Sequence, residues 1–201
     1  MSEFIQMNLT DMIDMLGEDR VKSILSSFEC PKNPDVEAFI RYKAIEFSKR
    51  NLAKTNVVYW VEGKEKELIG YYTIAPKYFS VSKNAVSSKV FHRIKQHGDF
   101  NVNTNSYIVS APLIGQLGKN FNAGNNYLIS GDELLKMALE KVKSIQREVG
   151  GKFTYLECED KEKLIHFYES NGFQIFGKRK LDKDETDLDG EYLLQLMKYI
   201  D

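Results

Sequence analysis

The sequence predicts a single α/β (α+β) domain over residues 1–201, in which a mixed sheet carries helices on both faces. Apolar residues recur at three- and four-residue steps near the N-terminus and again over 132–149, which is the periodicity of amphipathic helices. β-Branched and aromatic runs with period two occupy 57–61 and 68–74. Strands then alternate with helices, which predicts a partly parallel sheet that is covered on both sides.

Length and charge narrow the class of protein. The chain has 201 residues, with 28 Lys+Arg against 29 Asp+Glu and a formal net charge of −1. This balance argues against a dedicated nucleic-acid binder, which usually carries a strongly basic domain. No apolar run is long enough to span a bilayer, and acids stand where a signal peptide carries basic residues. We therefore expect a soluble cytoplasmic protein without a membrane partner.

Two helices are predicted before the first strand. The first covers 11–27, and the second begins at Asn33 as N-cap with Pro34 in its first turn. A hairpin follows, with the charged turn 62–67, and residues 78–105 are polar with a short helix at 86–95.

The second half of the chain contains the elements that bear on chemistry. Residues 107–118 form a long apolar segment that is interrupted by Pro112 and Gly115, which predicts a strand with a bend or bulge. Ser130 and Glu133 have the spacing of a capping box before the helix. The remaining predicted elements are a strand at 153–158, a helix at 161–170 that stops at Gly172, and strands at 173–176 and 192–199 around the acidic loop 182–189.

The first candidate site is the connection from the strand at 114–119, through the polar loop 120–126, to Ser130-Gly131-Asp132. A glycine-containing loop that opens a helix offers backbone N–H groups and a positive dipole end to a phosphate. The alternative is an ordinary connection with a capping serine. Acidic residues in the first helical turn, such as Asp132, compete with a bound anion.

The second candidate site is the helix end at 167–173, where the hydroxyl of Tyr168 is placed to act as an acid. The alternative is that Phe167 and Tyr168 are core anchors. Cys158 is predicted to be a small core residue rather than a nucleophile, and Lys178-Arg179-Lys180 to be a solvated basic run.

Metal binding is not predicted. Cys30 and the histidines His92, His97 and His166 show neither metal-ligand spacing nor triad partners. Two cysteines also do not make a disulfide framework.

In this order, these segments resemble the GNAT acetyltransferase superfamily. Residues 155–160 followed by 161–173 look like its fifth strand, fourth helix and FYxxxGF ending. Residues 68–73 and 113–119 are similar to its third and fourth strands, and 30–58 resembles the entry segment of bacterial or phage members related to toxin acetyltransferases. The resemblance covers nearly the whole chain.

The resemblance implies a three-layer fold whose mostly antiparallel sheet splays open between its parallel fourth and fifth strands, where acetyl-CoA binds as co-substrate. The pantetheine would pair with the backbone of the fourth strand, and the pyrophosphate would sit on the loop that follows. Asn126 and Ile129 stand where the family has Arg or Gln and Gly. The implied cofactor-binding residues are Gln116, Leu117, Gly118, Lys119, Asn126, Ile129, Ser130, Gly131 and Asp132.

For catalysis, the resemblance makes Tyr168 the residue that protonates the departing CoA thiolate. No general base is evident from the sequence. Glu157 and Glu159 are candidates to take a proton from the amine through water, and Glu157 is the one that we predict. The alternative is that both are ordinary surface carboxylates.

The leading hypothesis is an acetyl-CoA-dependent N-acetyltransferase that transfers the acetyl group directly to a primary amine of a small molecule or protein. One alternative is a toxin-type acetyltransferase that acts on aminoacyl-tRNA and has an antitoxin partner. Another is a GNAT-fold binding module without turnover. The sequence leaves open the identity of the acceptor and whether the chain forms a homodimer.

Overall fold

The computed structural model describes residues 2–181 and 190–200, so the predicted acidic loop 182–189 lies outside the described residues. The strands are β1 (Glu3–Asn8), β2 (Lys54–Glu62), β3 (Glu65–Val81), β4 (Asp99–Asn101), β5 (Ser106–Lys119), β6 (Phe153–Cys158), β7 (Gln174–Lys180) and β8 (Tyr192–Tyr199). The helices are α1 (Leu9–Leu16), α2 (Glu18–Leu25), α3 (Pro34–Ala38), α4 (Ala44–Lys49), α5 (Ser88–His97), α6 (Gly131–Val149) and α7 (Glu162–Ser170).

The described strands pair in the order β1-β2-β3-β5-β6-β8-β7, and β4 pairs with β5. Antiparallel pairing joins β1 to β2, β2 to β3, β4 to β5, β6 to β8 and β7 to β8. The parallel pairing is that of β5 with β6, through Leu113 with Tyr155 and Ile114 with Leu156. The predicted mixed, mostly antiparallel sheet with a parallel pair is therefore confirmed for the described strands, and β5 and β6 are the strands that the resemblance compares with the family's fourth and fifth.

At the N-terminus, the prediction of one helix over 11–27 is wrong. The chain forms α1 and α2, which are separated at Gly17 because its φ of 81° and ψ of 154° are not helical. The side chain of Asn8 caps α1 by accepting a hydrogen bond from Thr10 N at 2.9 Å. Strand β1 was not predicted, because its six residues become a strand only through pairing with β2.

The second predicted helix does begin at Asn33, whose side chain accepts a hydrogen bond from Val36 N at 3.2 Å. It continues through a π-helical turn at Phe39–Lys43 into α4. The hairpin is confirmed with a tighter turn at Gly63, and the short helix lies at Ser88–His97. Strand β5 is continuous, so Pro112 and Gly115 do not end it.

The predicted helices and strands of the C-terminal half are confirmed within one or two residues at most ends, and β7 extends to Lys180. The capping box is formed, because Glu133 N donates to Ser130 Oγ at 3.1 Å and Ser130 N donates to Glu133 Oε2 at 2.8 Å. Gly172 ends α7 with a φ of 80°.

The chain divides into two compact units. The first unit comprises Met1–Ala75 and Gly115–Glu140, and the second comprises Pro76–Ile114 and Lys141–Asp201. A core that includes Phe28, Phe39 and Tyr71 lies within the first unit. An aromatic core lies within the second unit, where Phe79 packs on Phe153, Tyr155 and Phe176.

Among the described residues, no helix combines the length and the apolar character needed to cross a membrane.

Candidate active site

In the first unit, the end of β5 is tied to α3 by side-chain contacts. Gln116 Nε2 donates to Asp35 Oδ2 at 2.9 Å, and the Tyr71 hydroxyl donates to the Val36 carbonyl at 2.6 Å. Burial, followed by the nearby Asp35 and Cys30, raises the pKa of Tyr71 well above its usual value. Tyr71 therefore stays protonated and remains a donor. These contacts assign the Gln116 side chain an anchoring role between β5 and α3.

Gly118 has a structural explanation of its own. A Cβ at this position would collide with the side chain of Val36 and would lie 3.4 Å from the ring of Tyr71. The main chain of Gly118 is also close to β3, because a Cβ built on Gly70 would lie 2.9 Å from the Gly118 carbonyl oxygen. Glycine at 118 is therefore required by packing, whether or not a cofactor approaches the strand.

Two buried asparagines, Asn120 and Asn125, hold the asparagine-rich loop by hydrogen bonds. Asn120 is 1% exposed; its Oδ1 accepts from Glu29 N at 2.9 Å and its Nδ2 donates to the Leu68 carbonyl at 2.8 Å. Asn125 Nδ2 donates to Glu67 Oε2 at 3.2 Å and also reaches the Leu68 carbonyl. Buried amides that satisfy main-chain groups hold a loop in one conformation. The polar composition of this loop thus serves the fold.

The segment from Asn126 to Ile129, just before α6, is held by the side chain of Lys119. Lys119 Nζ donates to the Asn126 carbonyl at 2.8 Å and to the Ile129 carbonyl at 3.0 Å. Ile129 is 2% exposed, so its side chain packs in the interior and does not cover the surface of the loop. The bulky residue at this position is therefore compatible with a ligand on the main chain.

The start of α6 already binds an anionic oxygen. The carboxylate of Glu133 accepts hydrogen bonds from Ser130 N at 2.8 Å and Ser130 Oγ at 2.7 Å. The bond from the Ser130 backbone is the main cause that lowers the pKa of Glu133. The Ser130 amide therefore stabilises negative charge, which fits a phosphate oxygen there provided that Glu133 moves. Gly131 and Asp132 complete the first turn of α6.

In the second unit, Tyr168 lies near the end of α7 and is half-buried. Its ring centroid is 4.9 Å from that of Phe167 and 5.9 Å from that of Phe173. Burial, and then the neighbouring Cys158, raise the pKa of the Tyr168 phenol. The phenol is therefore protonated at neutral pH, as a proton donor must be, and its packing also fits the alternative of a core anchor.

Glu157 is held by two partners from neighbouring strands. Arg179 Nε donates to its Oε2 and Gln195 Nε2 donates to its Oε1, each at 2.8 Å. Successive side chains of a strand point to opposite faces, and Tyr168 interacts with Cys158, the residue next to Glu157. The side chains of Glu157 and Cys158 thus point to opposite faces of β6, and the role of Glu157 as base stays a prediction.

Sequence reasoning missed Arg179 and Gln195 as partners of Glu157, and it missed the side-chain role of Lys119. The only signal for Arg179 was the basic run at 178–180, which was interpreted as solvated.

Within residues 2–181 and 190–200, no group of His, Cys, Asp and Glu is arranged to hold a metal ion.

Both cysteines are free and buried, and burial raises the pKa of Cys158 to about 11. Because a raised pKa disfavours the thiolate, Cys158 should react with iodoacetamide at pH 8 about 100-fold more slowly in the native protein than in the urea-unfolded chain. Its labelling rate should rise about tenfold per pH unit above pH 8, over the range in which circular dichroism shows the protein still folded. Mass spectrometry of the labelled peptides follows Cys30 as an internal comparison. Rapid labelling of native Cys158 would instead indicate a reactive thiol.

The comparisons with known proteins define the fold. No protein-family model matches the chain, and no curated protein matches it. Among solved structures, it is similar to AtaT complexed with acetyl-methionyl-tRNAfMet, with 19% identity, a TM-score of 0.63, and coverage of 96% of this chain and 94% of that one. The chain has the GNAT-like fold that the resemblance implied.

Two further solved structures show the same likeness. A Tyr-to-Phe mutant of KacT has 14% identity and a TM-score of 0.61, with 96% of this chain and 94% of that chain covered. A mutant AtaT toxin bound to the C-terminus of the antitoxin AtaR and acetyl-CoA has 15% identity and a TM-score of 0.58, with 98% and 92% covered.

Proposed function

We propose that this protein is an acetyl-CoA-dependent N-acetyltransferase that transfers the acetyl group directly to a primary amine. The observation that carries the proposal is the GNAT fold with Tyr168 on the helix after β6 and its phenol kept protonated. A solved neighbour of the same fold contains acetyl-CoA, which supports this co-substrate.

In the proposed reaction, the lone pair of the acceptor amine attacks the thioester carbonyl carbon and the carbon–sulfur bond breaks. The leaving sulfur takes the proton of the Tyr168 hydroxyl, and Tyr168 regains a proton as the new amide loses one through water. A donor matched to a leaving group contributes typically about 10²–10⁴-fold to the rate. We assign the pantetheine to the backbone of Gln116, Leu117 and Gly118.

The phosphates are assigned to the main chain between Asn126 and Asp132, in which Ser130 N is the amide that stabilises an anion. This assignment requires the Glu133 carboxylate to leave the Ser130 amide when acetyl-CoA binds. Lost capping is worth roughly 1 kcal/mol, which is of the same order as one of the charge-assisted contacts to phosphate that would replace it.

Calorimetric titration with acetyl-CoA, and with CoA for comparison, tests the co-substrate. We expect binding of micromolar strength, about −8 kcal/mol. A release assay for free thiol with a panel of amines then tests turnover. Absence of binding at millimolar acetyl-CoA would contradict the proposal.

A second candidate is transfer to the amino group of an aminoacyl-tRNA. One solved neighbour of this fold is complexed with acetyl-methionyl-tRNAfMet. In the second unit, α5 carries Lys89, Arg93 and Lys95 and no acidic residue, although the whole chain is close to neutral. A helix of this charge is suited to phosphate contacts, which the near-neutral net charge of the whole chain does not indicate.

An acceptor panel separates the candidates. Radiolabelled acetyl transfer is measured to aminoacyl-tRNA, free amino acids, polyamines and lysine peptides, at low and high salt. Transfer to aminoacyl-tRNA that weakens steeply with salt supports this candidate, whereas transfer to small amines alone contradicts it. With this second candidate function we also propose an antitoxin as protein partner, since the structure of a toxin of the same fold contains the C-terminus of the antitoxin AtaR.

A further inference from the structure

Lys119 closes the loop that follows β5. Its ammonium donates to two carbonyls that lie three residues apart, those of Asn126 and Ile129, at 2.8 and 3.0 Å. The lysine thereby joins the end of the strand to the main chain just before α6. Partial burial, and then the nearby Lys32, lower its pKa.

The two bonds set the direction of the peptide groups. A trans peptide is planar, and its C=O and N–H point in opposite directions. Because the Asn126 and Ile129 carbonyls face the ammonium, the N–H groups of Tyr127 and Ser130 face away from it. The Ser130 N–H is the one that binds the Glu133 carboxylate, so it is aimed at a place where an anionic oxygen already lies.

This arrangement offers a physical substitute for the family's usual loop. The resemblance places Asn126 and Ile129 where Arg or Gln and a Gly are typical, and a glycine-poor loop needs another means of presenting its N–H groups. We propose that Lys119 is a positioning residue for the phosphates of acetyl-CoA, which acts by holding the Asn126 and Ile129 carbonyls. The proposal rests on the proposed function, because it assigns the phosphates to this loop.

The test is Lys119→Met, which keeps an unbranched apolar stem and removes the donor. Calorimetry with acetyl-CoA is compared with S-acetyl-pantetheine, which has no phosphate. We expect acetyl-CoA to bind about tenfold more weakly, from the loss of charge-assisted bonds, and S-acetyl-pantetheine to bind as to the wild type. A general structural defect would weaken both ligands equally, and that result would overturn the proposal.

A direct attraction between the lysine and a phosphate is the competing explanation. Salt separates the two, because an attraction between exposed charges is screened at about 0.5 M salt, whereas loop geometry is not. We expect the tenfold difference in acetyl-CoA affinity between the wild type and Lys119→Met to persist at high salt. If the two affinities became equal at high salt, a positioning role would be overturned. Lys136→Met is the matched control, because it removes an exposed lysine on α6 in the same unit.

The outcomes also separate this proposal from the proposed function. Wild-type protein that binds no acetyl-CoA would refute both, whereas wild-type and Lys119→Met proteins that bind it equally would refute only the role of Lys119. If the Met variant does not fold, Lys119→Gln is used instead, which puts a shorter, uncharged N–H donor in place of the ammonium. A loss of affinity confined to acetyl-CoA is again expected, and equal affinity for it again refutes the role.

Discussion

Replacing Tyr168 by Phe is expected to lower kcat for acetyl transfer by about 10²–10⁴-fold, with acetyl-CoA affinity changed by less than about twofold. The phenol is the proposed donor to the CoA sulfur, and burial keeps it protonated. Phe keeps the ring packing on Phe167 and Phe173, so binding and stability should be retained. Steady-state kinetics and calorimetry on the same preparation measure both quantities.

Tyr42→Phe is the control, because this substitution also removes a tyrosine hydroxyl but at an exposed position outside the proposed site. A core-anchor role for Tyr168 would leave kcat unchanged in the Phe variant and would contradict the proposed acid. If the wild-type protein binds acetyl-CoA but transfers the acetyl group to no amine, the chain is a binding module. The Phe variant would then show no change in activity.

Replacing Gly118 by Ala is expected to lower the free energy of unfolding by about 1–3 kcal/mol, as overpacking of a core does. The added methyl would collide with Val36, which is held at the start of α3 by the Asn33 cap. Urea unfolding measures the change. An unchanged stability would mean that the approach between β5 and α3 is looser than the structure shows.

A double-mutant cycle identifies the contact responsible. Val36→Ala removes the methyl groups that the new Cβ would meet, so Gly118→Ala should cost less in that background. We expect a coupling free energy of about 0.5–3 kcal/mol, the range for residues in contact. Additive effects would show that Gly118→Ala acts elsewhere.

How much of this fold could be predicted depends on the range of the interactions. The helix α6 and the strand β6 were predicted because their periodicity, caps and terminal glycines lie within a few residues of one another. Strand β1 was missed because it exists only by pairing with β2, some 50 residues away along the chain. The break at Gly17 was missed because glycine inside a helical pattern is often tolerated.

The candidate site divides in the same way. Tyr168 was predicted from a short motif, and the Ser130–Glu133 capping box from a three-residue spacing. The partners of Glu157 are 22 and 38 residues away and meet it only because β6, β8 and β7 pair in that order. No local pattern indicated that a residue of the basic run would be bound to this carboxylate.

The sequence by itself determined the element types of the C-terminal half, the cap of α6, and the GNAT-like fold class. These follow from backbone preferences and side-chain spacing, which act over a few residues. The tertiary structure alone decided that Gly118 is required by Val36, that Asn120 and Asn125 are buried, and that Lys119 binds the carbonyls of Asn126 and Ile129. Each of these depends on distances between segments, which burial and strand register set only once the chain has folded.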